Sequence, residues 1–221
     1  MSKRDFPNRL RTIRKRSGLS QDEVAFLLEG ESGVGKELVA RQIHDLSRRR
    51  NGPFVAINCA ALVETLLEAE LFGIEDRTAT GVRGRRGKFE AAEGGTLFLD
   101  EVSDLSLSAQ AKLLRAIQDL AVERVGGNGT HRVDIRIIAA TNRGLLPLVD
   151  RQLFRPDLFY RLSGVDVRVP TLRERKADIV ELAEYFLARH RSTRALRLST
   201  VVNVPDTPSA PRRRAACISH P

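Results

Sequence analysis

The sequence predicts an α/β protein built on a doubly wound parallel sheet, and three observations support this fold class. A glycine-rich segment, Gly30–Glu37, follows the apolar run Val24–Leu28 and precedes a stretch, 38–50, with apolar residues at helical spacing. A second apolar run, 94–101, ends in two adjacent carboxylates. Strand and helix patterns alternate along the chain, and polar groups follow the strands, as is typical of parallel sheets whose ligands lie at the carboxyl ends of the strands.

The segment Gly30–Glu37 predicts a phosphate-binding loop. Its glycines allow successive backbone N–H groups to point at phosphate oxygens, and the N-terminus of the following helix adds partial positive charge. The pattern usually ends in Ser or Thr where this chain has Glu37, and the alternative is a glycine-rich turn with a surface lysine. Lys36 is expected to neutralise the outer phosphates. The residues expected to bind nucleotide here are Gly30, Glu31, Ser32, Gly33, Val34, Gly35, Lys36 and Glu37.

Two neighbouring carboxylates, Asp100 and Glu101, come at the end of the second apolar run. Asp100 is suited to hold Mg²⁺ through its waters, and Glu101 to orient or deprotonate an attacking water. The alternative is a strand that exits to solvent with acidic residues. Together with the phosphate loop, the pair predicts nucleotide hydrolysis.

Further elements follow from apolar spacing and turn residues. The helix over 62–72 is expected to turn Leu62, Leu66, Leu67 and Leu71 inward, and the Asn128-Gly129 pair predicts a hairpin turn. The predicted elements are a buried strand at 53–60, that helix, an exposed loop at 73–87, a helix at 105–120, a hairpin at 122–138, a buried strand at 135–142, a short helix at 154–162, a strand at 165–169 and an amphipathic helix at 176–189.

Length and composition exclude several classes of protein. The 221 residues accommodate one sizeable α/β domain with extensions. Because the sequence has neither an apolar run long enough to cross a bilayer nor an apolar N-terminal signal segment, we expect a cytoplasmic protein without a membrane partner. Two cysteines, Cys59 and Cys217, are too few for a disulfide framework, and they form a four-ligand zinc site only with suitably spaced histidines.

The net charge of +9 belongs to the ends of the chain. Residues 1–18 hold seven Lys/Arg and one Asp, and residues 189–221 hold seven Arg and one Asp. The remaining 23 basic and 26 acidic residues give the central part a charge of −3. That part therefore carries no obvious signature of polyanion binding.

Residues 8–28 admit two interpretations. Ser20 and Glu23 form a capping box, and the segment resembles the opening two helices of a repressor-type helix-turn-helix. However, Val24–Leu28 cannot be both the second helix and the strand that feeds the phosphate loop. We favour the strand, because the loop requires it, and expect a basic arm with weak, nonspecific DNA affinity.

The sequence contains the blocks GESGVGKELVARQIH, PFVAINCAAL, ELFG, GGTLFLDEV, QAKLLRAIQ, RVGG, AATN, FRPDLFYRL and LRER. In this order they resemble the central AAA+ ATPase domain of bacterial enhancer-binding proteins, the activators of sigma-54 RNA polymerase. The resemblance runs from about Phe26 to Arg189. In that family the loop usually ends in GKE, which accounts for Glu37, and membership implies an ATP- and Mg²⁺-dependent ATPase that regulates transcription.

The resemblance implies roles for residues outside the loop. Asp100 and Glu101 match the residues that serve the metal and the attacking water. Asn58 matches the switch residue that holds the glutamate according to nucleotide state. Thr141 with Asn142 matches the sensor of the γ-phosphate.

Arg155 and Arg161 match the arginines that family members insert into the nucleotide site of the neighbouring subunit. A forked, permanently charged guanidinium stabilises the charge of the transferring phosphate, so hydrolysis would depend on a homo-oligomeric ring. Spacing alone favours a different interpretation, in which both are surface arginines that pair with Asp157 or with solvent.

Two departures from the family bear on function. The sigma-54-contacting loop of the family has the sequence GAFTGA, whereas the aligned residues here are Arg77–Val82, with Ala79 in place of the aromatic tip. Because a large apolar anchor is lost, we expect weakened engagement of sigma-54. The resemblance also ends near Arg189, in the first lid helix and before the family's sensor arginine, so we expect reduced nucleotide affinity.

The predicted organisation has four parts: a basic arm at 1–23, with a partial helix-turn-helix as the alternative, an AAA+ nucleotide-binding domain at 24–172, the start of a helical lid at 173–190, and a disordered basic tail at 191–221. The leading hypothesis is an ATP-hydrolysing AAA+ regulator of transcription. One alternative is a nucleotide-binding regulator or fragment that no longer engages sigma-54 or remodels polymerase. The other is a DNA-binding repressor acting through residues 8–28.

Overall fold

A computed structural model describes residues 25–76 and 84–191 of the chain. The strands, in chain order, are β1 (Phe26–Glu29), β2 (Phe54–Asn58), β3 (Gly73–Ile74), β4 (Arg85–Arg86), β5 (Thr96–Asp100), β6 (Ala121–Glu123), β7 (Thr130–Arg132), β8 (Arg136–Thr141) and β9 (Val165–Arg168). The α-helices are α1 (Lys36–Asp45), α2 (Glu64–Phe72), α3 (Lys88–Ala91), α4 (Leu107–Asp119), α5 (Leu145–Asp150), α6 (Pro156–Leu162) and α7 (Asp178–Arg191). Short 3₁₀ turns cover Val102–Asp104 and Leu172–Arg175.

The central sheet has five parallel strands in the order β2-β5-β8-β1-β9. Because the order differs from the order along the chain, the connections must cross over, and the helices provide these crossovers. β5, β8 and β1 lie inside the sheet, and β8 is buried along its whole length. This is the doubly wound α/β fold that the sequence predicts.

The apolar core lies on both faces of the sheet. Alternate residues of the inner strands point to opposite sides, as a pleated strand requires. The smaller cluster packs α1 against one face through Ala40 and Ile43, beside Phe98 and Ile138. The larger cluster packs α2, α4 and α6 against the other face, where Leu97, Leu99, Ile137 and Ala139 contribute from the strands.

The strand interpretation of the segment before the phosphate loop is confirmed for its described part. β1 begins at Phe26, and Leu27 and Leu28 are buried between two neighbouring strands. A second helix of a helix-turn-helix therefore cannot include these residues. The remainder of the basic arm lies outside the described residues.

The prediction that the second strand is buried was wrong. β2 is an edge strand that pairs only with β5 in the sheet, and of its residues Ile57 alone is fully buried. The prediction that Leu66 faces inward was also wrong, since Leu66 is 44% exposed. α2 begins at Glu64, and its buried face is set by Leu67 and Leu71, one turn apart.

α4 agrees with the helix predicted at 105–120. The hairpin after it does not have the tight turn that the Asn128-Gly129 pair predicts. β6 and β7 pair as a short ladder, and six residues, 124–129, connect them. Val125 pairs with the segment around β3 and not with β7. It forms a β-bridge to Ile74, its N–H donates to the carbonyl of Gly73, and its carbonyl accepts the N–H of Glu75. A longer connection replaces the expected tight turn.

The exposed loop predicted at 73–87 has an ordered base. Gly73–Ile74 and Arg85–Arg86 form an antiparallel pair, which the sequence did not predict because each strand is only two residues long. The segment aligned with the sigma-54-contacting loop, Arg77–Val82, lies outside the described residues.

The chain divides into two compact units at Lys176 and Ala177. The described part of the second unit consists of α7. On the apolar face predicted for this helix, Ile179, Phe186 and Leu187 are 44%, 48% and 42% exposed. The predicted tail beyond Arg191 lies outside the described residues. Within residues 25–76 and 84–191, no helix has the length and apolarity to cross a membrane.

Candidate nucleotide site

The parallel register brings the polar strand ends to one edge of the sheet. Asn58 of β2 is paired with Asp100 of β5, and Glu29 of β1 is paired with Thr141 of β8. The phosphate loop leaves β1 at this same edge, where Gly30 N–H donates to the carbonyl of Thr141 at 3.2 Å. The edge is therefore a crevice at the carboxyl ends of the strands, where ligands of doubly wound sheets bind.

The loop backbone is shaped by two glycines. Gly33 and Gly35 have φ values of 80° and 96°, in the left-handed region that glycine adopts at little cost. Gly35 is the N-cap of the ten-residue helix α1, and no side chain caps that terminus. The first N–H groups of α1 are thus available to an anionic ligand, and the helix dipole favours negative charge there.

Lys36 lies where the loop enters α1, as the first residue of that helix, and is only 7% exposed. Its Nζ donates to the carbonyl oxygens of Gly30 at 2.9 Å and Glu31 at 3.3 Å. It also lies 3.4 Å from Oε1 of Glu101. These contacts hold a buried ammonium beneath the loop, close to the uncapped N-terminus of α1.

Glu101 has a left-handed backbone, with φ of 55° and ψ of 50°. This conformation is uncommon for a residue with a side chain and occurs often at functional sites. Its Oε2 accepts a hydrogen bond from the backbone N–H of Asn142 at 3.0 Å, so the carboxylate bridges β5 and the end of β8.

Asp100 precedes Glu101 and accepts the N–H of that residue through Oδ1 at 3.1 Å. Burial raises the pKa of Asp100 above its ordinary value, the neighbouring charge of Glu101 raises it further, and Lys36 acts in the opposite direction. A bound cation would offset the repulsion between the two carboxylates.

The structure brings together Lys36, Asp100, Glu101 and Asn142, but it does not bring the amide of Asn58 onto Glu101. Oδ1 of Asn58 accepts the backbone N–H groups of Ala60 and Ala61 at 2.9 and 3.1 Å. The Asn58 side chain thus stabilises the turn after β2, and the hydrogen bonds described for the Glu101 carboxylate go to Lys36 and Asn142.

Thr141 is fully buried, and its hydroxyl does not point to open space. Its Oγ1 donates to the carbonyl of Arg143 at 2.8 Å and accepts the N–H of the same residue at 3.1 Å. Thr141 therefore fixes the turn after β8, which leaves Asn142 exposed beside the loop.

Arg155 is the N-cap of α6 and Arg161 lies in its last turn, and within this chain the hydrogen bonds described for them do not go to the loop. Arg155 forms a two-pronged ion pair with Asp157, with N···O distances of 3.1 and 2.7 Å. This pairing raises the pKa of Arg155 and lowers that of Asp157. Arg161 donates to the carbonyl of Ile117 at 3.3 Å. A contact with a nucleotide site would have to be made across subunits.

The remaining polar residues of the loop lie at its surface. Ser32 is exposed, and Glu37 pairs with Arg41 one helical turn later at 3.3 Å. Glu31 is paired with Arg173, which sequence reasoning did not include in the site. Arg173 belongs to the LRER block, so the motif was a signal, but its partner lies 142 residues away in the chain.

A second residue missed by sequence reasoning is Gln110. It is fully buried on α4, where its amide donates to the carbonyls of Leu105 at 2.8 Å and Leu153 at 3.1 Å. Its carbonyl accepts the backbone N–H of Arg155 at 2.8 Å. Gln110 thus positions the start of α6, the helix at whose ends the two arginines lie.

A cavity of about 390 Å³ adjoins the loop and is lined by residues of the loop, of β9 and of the turn after it. Its walls include Gly30, Glu31, Asn142, Arg168 and Arg173. Its volume is within the range of small-molecule sites. The cavity and the free N-terminus of α1 lie at opposite ends of the same loop.

The residues present fit a nucleotide and a hydrated metal ion. In the described part of the chain, no group of three or more His, Cys, Asp or Glu side chains could enclose a metal ion. Mg²⁺ is commonly held by one or two carboxylates together with waters and substrate phosphates, and Asp100 provides such a carboxylate. Lys36 and the N-terminus of α1 provide the positive charge that phosphates require.

The parallel sheet and the glycine-rich loop that leaves β1 have the fold of AAA+ P-loop NTPase domains. A match to the family described as the sigma-54 interaction domain covers residues 5–168, and the chain belongs to that family. The prediction of the family from the sequence is thereby confirmed.

Two curated relatives and one solved structure illustrate the similarity. Nif-specific regulatory proteins from Herbaspirillum seropedicae and Azotobacter vinelandii are 55% and 58% identical over 75% and 74% of this chain. The chain spans 31% of the length of each. The crystal structure of NtrX from Brucella abortus in complex with ATP is 42% identical, with a TM-score of 0.73, and the match covers 83% of this chain and 39% of that one.

Proposed function

We propose that this chain binds ATP with Mg²⁺ in the crevice at the carboxyl edge of its sheet and hydrolyses it as part of a regulator of sigma-54-dependent transcription. The observation that carries the proposal is the meeting of Lys36, Asp100 and Glu101 beneath the uncapped N-terminus of α1. The ATP complex of the similar NtrX structure supports the nucleotide, and family membership supports the role in transcription.

In this proposal the loop and Lys36 hold the phosphates. The N–H groups at the start of α1 donate to phosphate oxygens, and Lys36 moves from the carbonyls of Gly30 and Glu31 toward the outer phosphates. A bound Mg²⁺, held through Asp100, supplies neutralisation of the phosphate charge. Lys36 would then release the Glu101 carboxylate, which in this proposal interacts with the attacking water.

Glu101 acts in the proposal as the residue that orients or deprotonates the attacking water. Its carboxylate is fixed through Oε2 by the backbone of Asn142, which leaves Oε1 free once Lys36 turns to phosphate. Asn142 is exposed beside the loop and is suited to sense the terminal phosphate. Asn58 lies one strand away, in register with Asp100.

Hydrolysis is proposed to require a ring of subunits. Arg155 and Arg161 do not reach the loop of their own chain, so each would serve the site of a neighbouring subunit. To do so, Arg155 must exchange its pairing with Asp157 for one with phosphate. Residues 1–23 remain a proposed basic arm with weak DNA affinity, and residues 24–172 and 173–190 remain the proposed nucleotide domain and the start of a lid.

A second candidate function is a nucleotide-binding regulator that no longer remodels polymerase. The specific observation in its favour is Ala79 at the position where the family has an aromatic tip. Retention of sigma-54 in a pull-down with the protein trapped by an ATP transition-state analogue would argue against this candidate. An Ala79→Phe variant, which restores the anchor, is the matched comparison.

The test of the leading proposal is steady-state ATP hydrolysis per subunit over a wide range of protein concentrations, with Glu101→Gln as the inactive reference. A specific rate that rises with concentration supports sites shared between subunits. A rate equal to that of the reference at every concentration would contradict hydrolysis. If the same samples bind ATP, that result would favour the second candidate.

A further inference from the structure

The turn Leu172–Arg175 contacts the phosphate loop, and the sequence alone assigned it no role. Leu172–Arg175 is a 3₁₀ turn capped by Thr171, and we call Thr171–Arg175 the strap. A capping box closes the strap, because Thr171 N–H donates to the Glu174 carboxylate at 2.8 Å while Glu174 N–H bonds back to Thr171. Glu174 also pairs with Arg168 of β9 at 3.0 Å, which ties the strap to the sheet.

Two arginines of the strap reach the loop. Nη2 of Arg173 lies 2.6 and 2.7 Å from the two carboxylate oxygens of Glu31. Nη2 of Arg175 donates to the carbonyl of Val34 at 3.0 Å. The two contacts lie at different points of the loop, one near each end, so the strap restrains it at both.

The pair between Arg173 and Glu31 changes the charge of the loop. A carboxylate in a phosphate-binding loop repels a polyanion, and Glu31 is not neutralised by Lys36, whose bond at this residue goes to the backbone carbonyl. Arg173 supplies the missing cation. Both side chains are well exposed, at 74% and 58%, so solvent screens the pair and its effect is modest.

The contact of Arg175 changes the orientation of the loop backbone. In a trans peptide the C=O and the following N–H point in opposite directions. Anchoring the carbonyl of Val34 on Arg175 therefore directs the N–H of Gly35 away from the strap. Gly35 is the N-cap of α1, so this N–H belongs to the group that is available to an anion.

We propose that Arg173 and Arg175 are positioning residues for the nucleotide: Arg173 cancels the charge of Glu31, and Arg175 fixes the peptide between Val34 and Gly35. The inference rests on the proposed function, since it concerns the affinity of the same loop for ATP. Neither arginine touches the expected site of the reacting atoms. The strap acts on the KM for ATP and on loop order more than on the rate at saturating ATP.

The test combines ATP affinity with a measurement that needs no nucleotide. Arg173→Met should weaken ATP binding by about 1.4-fold to fivefold, the range of an exposed ion pair. Placed in a Glu31→Gln protein, the same substitution should have almost no effect, because the charge to be cancelled is gone. Arg175→Met should weaken binding about tenfold. In the absence of ATP it should speed hydrogen exchange at the amide of Val34, which donates to the carbonyl of Glu31 at 3.5 Å.

The matched control is Lys112→Met, which breaks an exposed ion pair with Glu68 on a different part of the surface. It should leave both ATP affinity and exchange in the loop at the wild-type values. An equal effect of Arg173→Met with and without Glu31 overturns the role of Arg173. Unchanged loop exchange in Arg175→Met overturns the role of Arg175.

Failure of the proposed function is distinguishable from failure of this inference. If the wild-type chain and Lys36→Ala bind ATP equally poorly, the proposed nucleotide site is wrong and the inference falls with it. If the wild type binds ATP and Lys36→Ala does not, but the strap variants bind like the wild type, the inference alone is overturned.

Discussion

Lys36 and Glu101, the cation expected to meet phosphate and the carboxylate expected to meet water, are paired with each other at 3.4 Å, with side chains only 6% and 11% exposed. Each is therefore the other's partner while neither meets a ligand. A triphosphate that attracts Lys36 would break the pair and free one oxygen of Glu101. In the proposed function, ATP binding and activation of the Glu101 carboxylate would be coupled through this contact.

Lys36→Met should remove ATP binding and also destabilise the fold. It leaves Glu101 as a buried carboxylate without its cation, and breaking such a pair from one side costs about 3–5 kcal/mol. The double variant Lys36→Met with Glu101→Gln should regain most of the lost free energy of unfolding but not the ATP affinity. Urea denaturation and a titration with a fluorescent ATP analogue measure the two effects. A double variant as unstable as the single one would argue against the pairing.

Glu101→Gln should retain ATP binding, with an affinity at or above the wild-type value because Lys36 no longer pairs with a carboxylate. It should lower turnover by about 10²–10⁴-fold, the usual contribution of a general base. The amide retains an oxygen for the N–H of Asn142, so the geometry of the turn is preserved. Single-turnover hydrolysis at saturating ATP measures the effect. Turnover within threefold of the wild type would mean that another group handles the water.

Arg161→Ala should lose turnover, yet mixing it with Glu101→Gln should restore part of it. In a mixed ring, a site with an intact Glu101 can receive Arg161 from a neighbour that lacks the glutamate. The measurement is ATP hydrolysis across mixing ratios at fixed total protein. No recovery at any ratio would contradict an arginine acting between subunits.

Gln110→Leu should destabilise the chain by about 1–3 kcal/mol, because the carbonyls of Leu105 and Leu153 and the N–H of Arg155 lose their buried partner. Turnover should fall more than ATP affinity, since Gln110 positions α6, at whose ends the arginines lie, and not the phosphate loop. Gln118→Leu, on an exposed position of the same helix, is the control and should change neither quantity. Equal losses of affinity and turnover would indicate general damage.

Much of the fold was predictable from the sequence because it depends on local patterns. The strand, the glycine turn and the helix around Lys36 lie within a few residues of each other, and the apolar run before Asp100 marks a strand that pairs on both sides. Parallel strands place their carboxyl ends at one edge, so the meeting of Lys36 and Asp100 followed from topology. α5 was missed because Pro147 resembles a helix breaker, although in the first turn proline removes no helical hydrogen bond.

The contacts that the sequence could not predict connect distant segments or depend on burial. Arg173 and Arg175 find partners more than 140 residues earlier, and neither spacing nor composition encodes that pairing. Gln110 looks like a surface residue of an amphipathic helix until the packing of α6 buries it. Asn58 was given a role by resemblance, and its hydrogen bonds to the following turn become visible only in the folded chain.

His44 of α1 lies near the start of β5, at the end of that strand opposite Asp100, and is 4% exposed. Its Nδ1 lies 2.9 Å from Oγ1 of Thr96. Burial, as the largest cause, lowers the pKa of His44 below its ordinary value of 6.5. The nearby cations Arg136 and Arg41 add to this effect, and Asp45 opposes it. In the folded chain the histidine resists protonation, whereas the unfolded chain accepts a proton near pH 6.5.

Because the unfolded state binds this proton more readily, the contribution of His44 to stability is complete above about pH 6.5 and declines as the pH falls toward the lower folded pKa, by up to about 1.4 kcal/mol per pH unit. His44→Gln should remove this part of the acid sensitivity. Asp45→Asn should lower the folded pKa further and extend the decline to lower pH. The difference in urea midpoint between pH 7.5 and pH 5.5, compared among the three proteins, isolates His44 from the carboxylates they share. Identical differences in the wild type and His44→Gln would show that the buried ring titrates alike in both states.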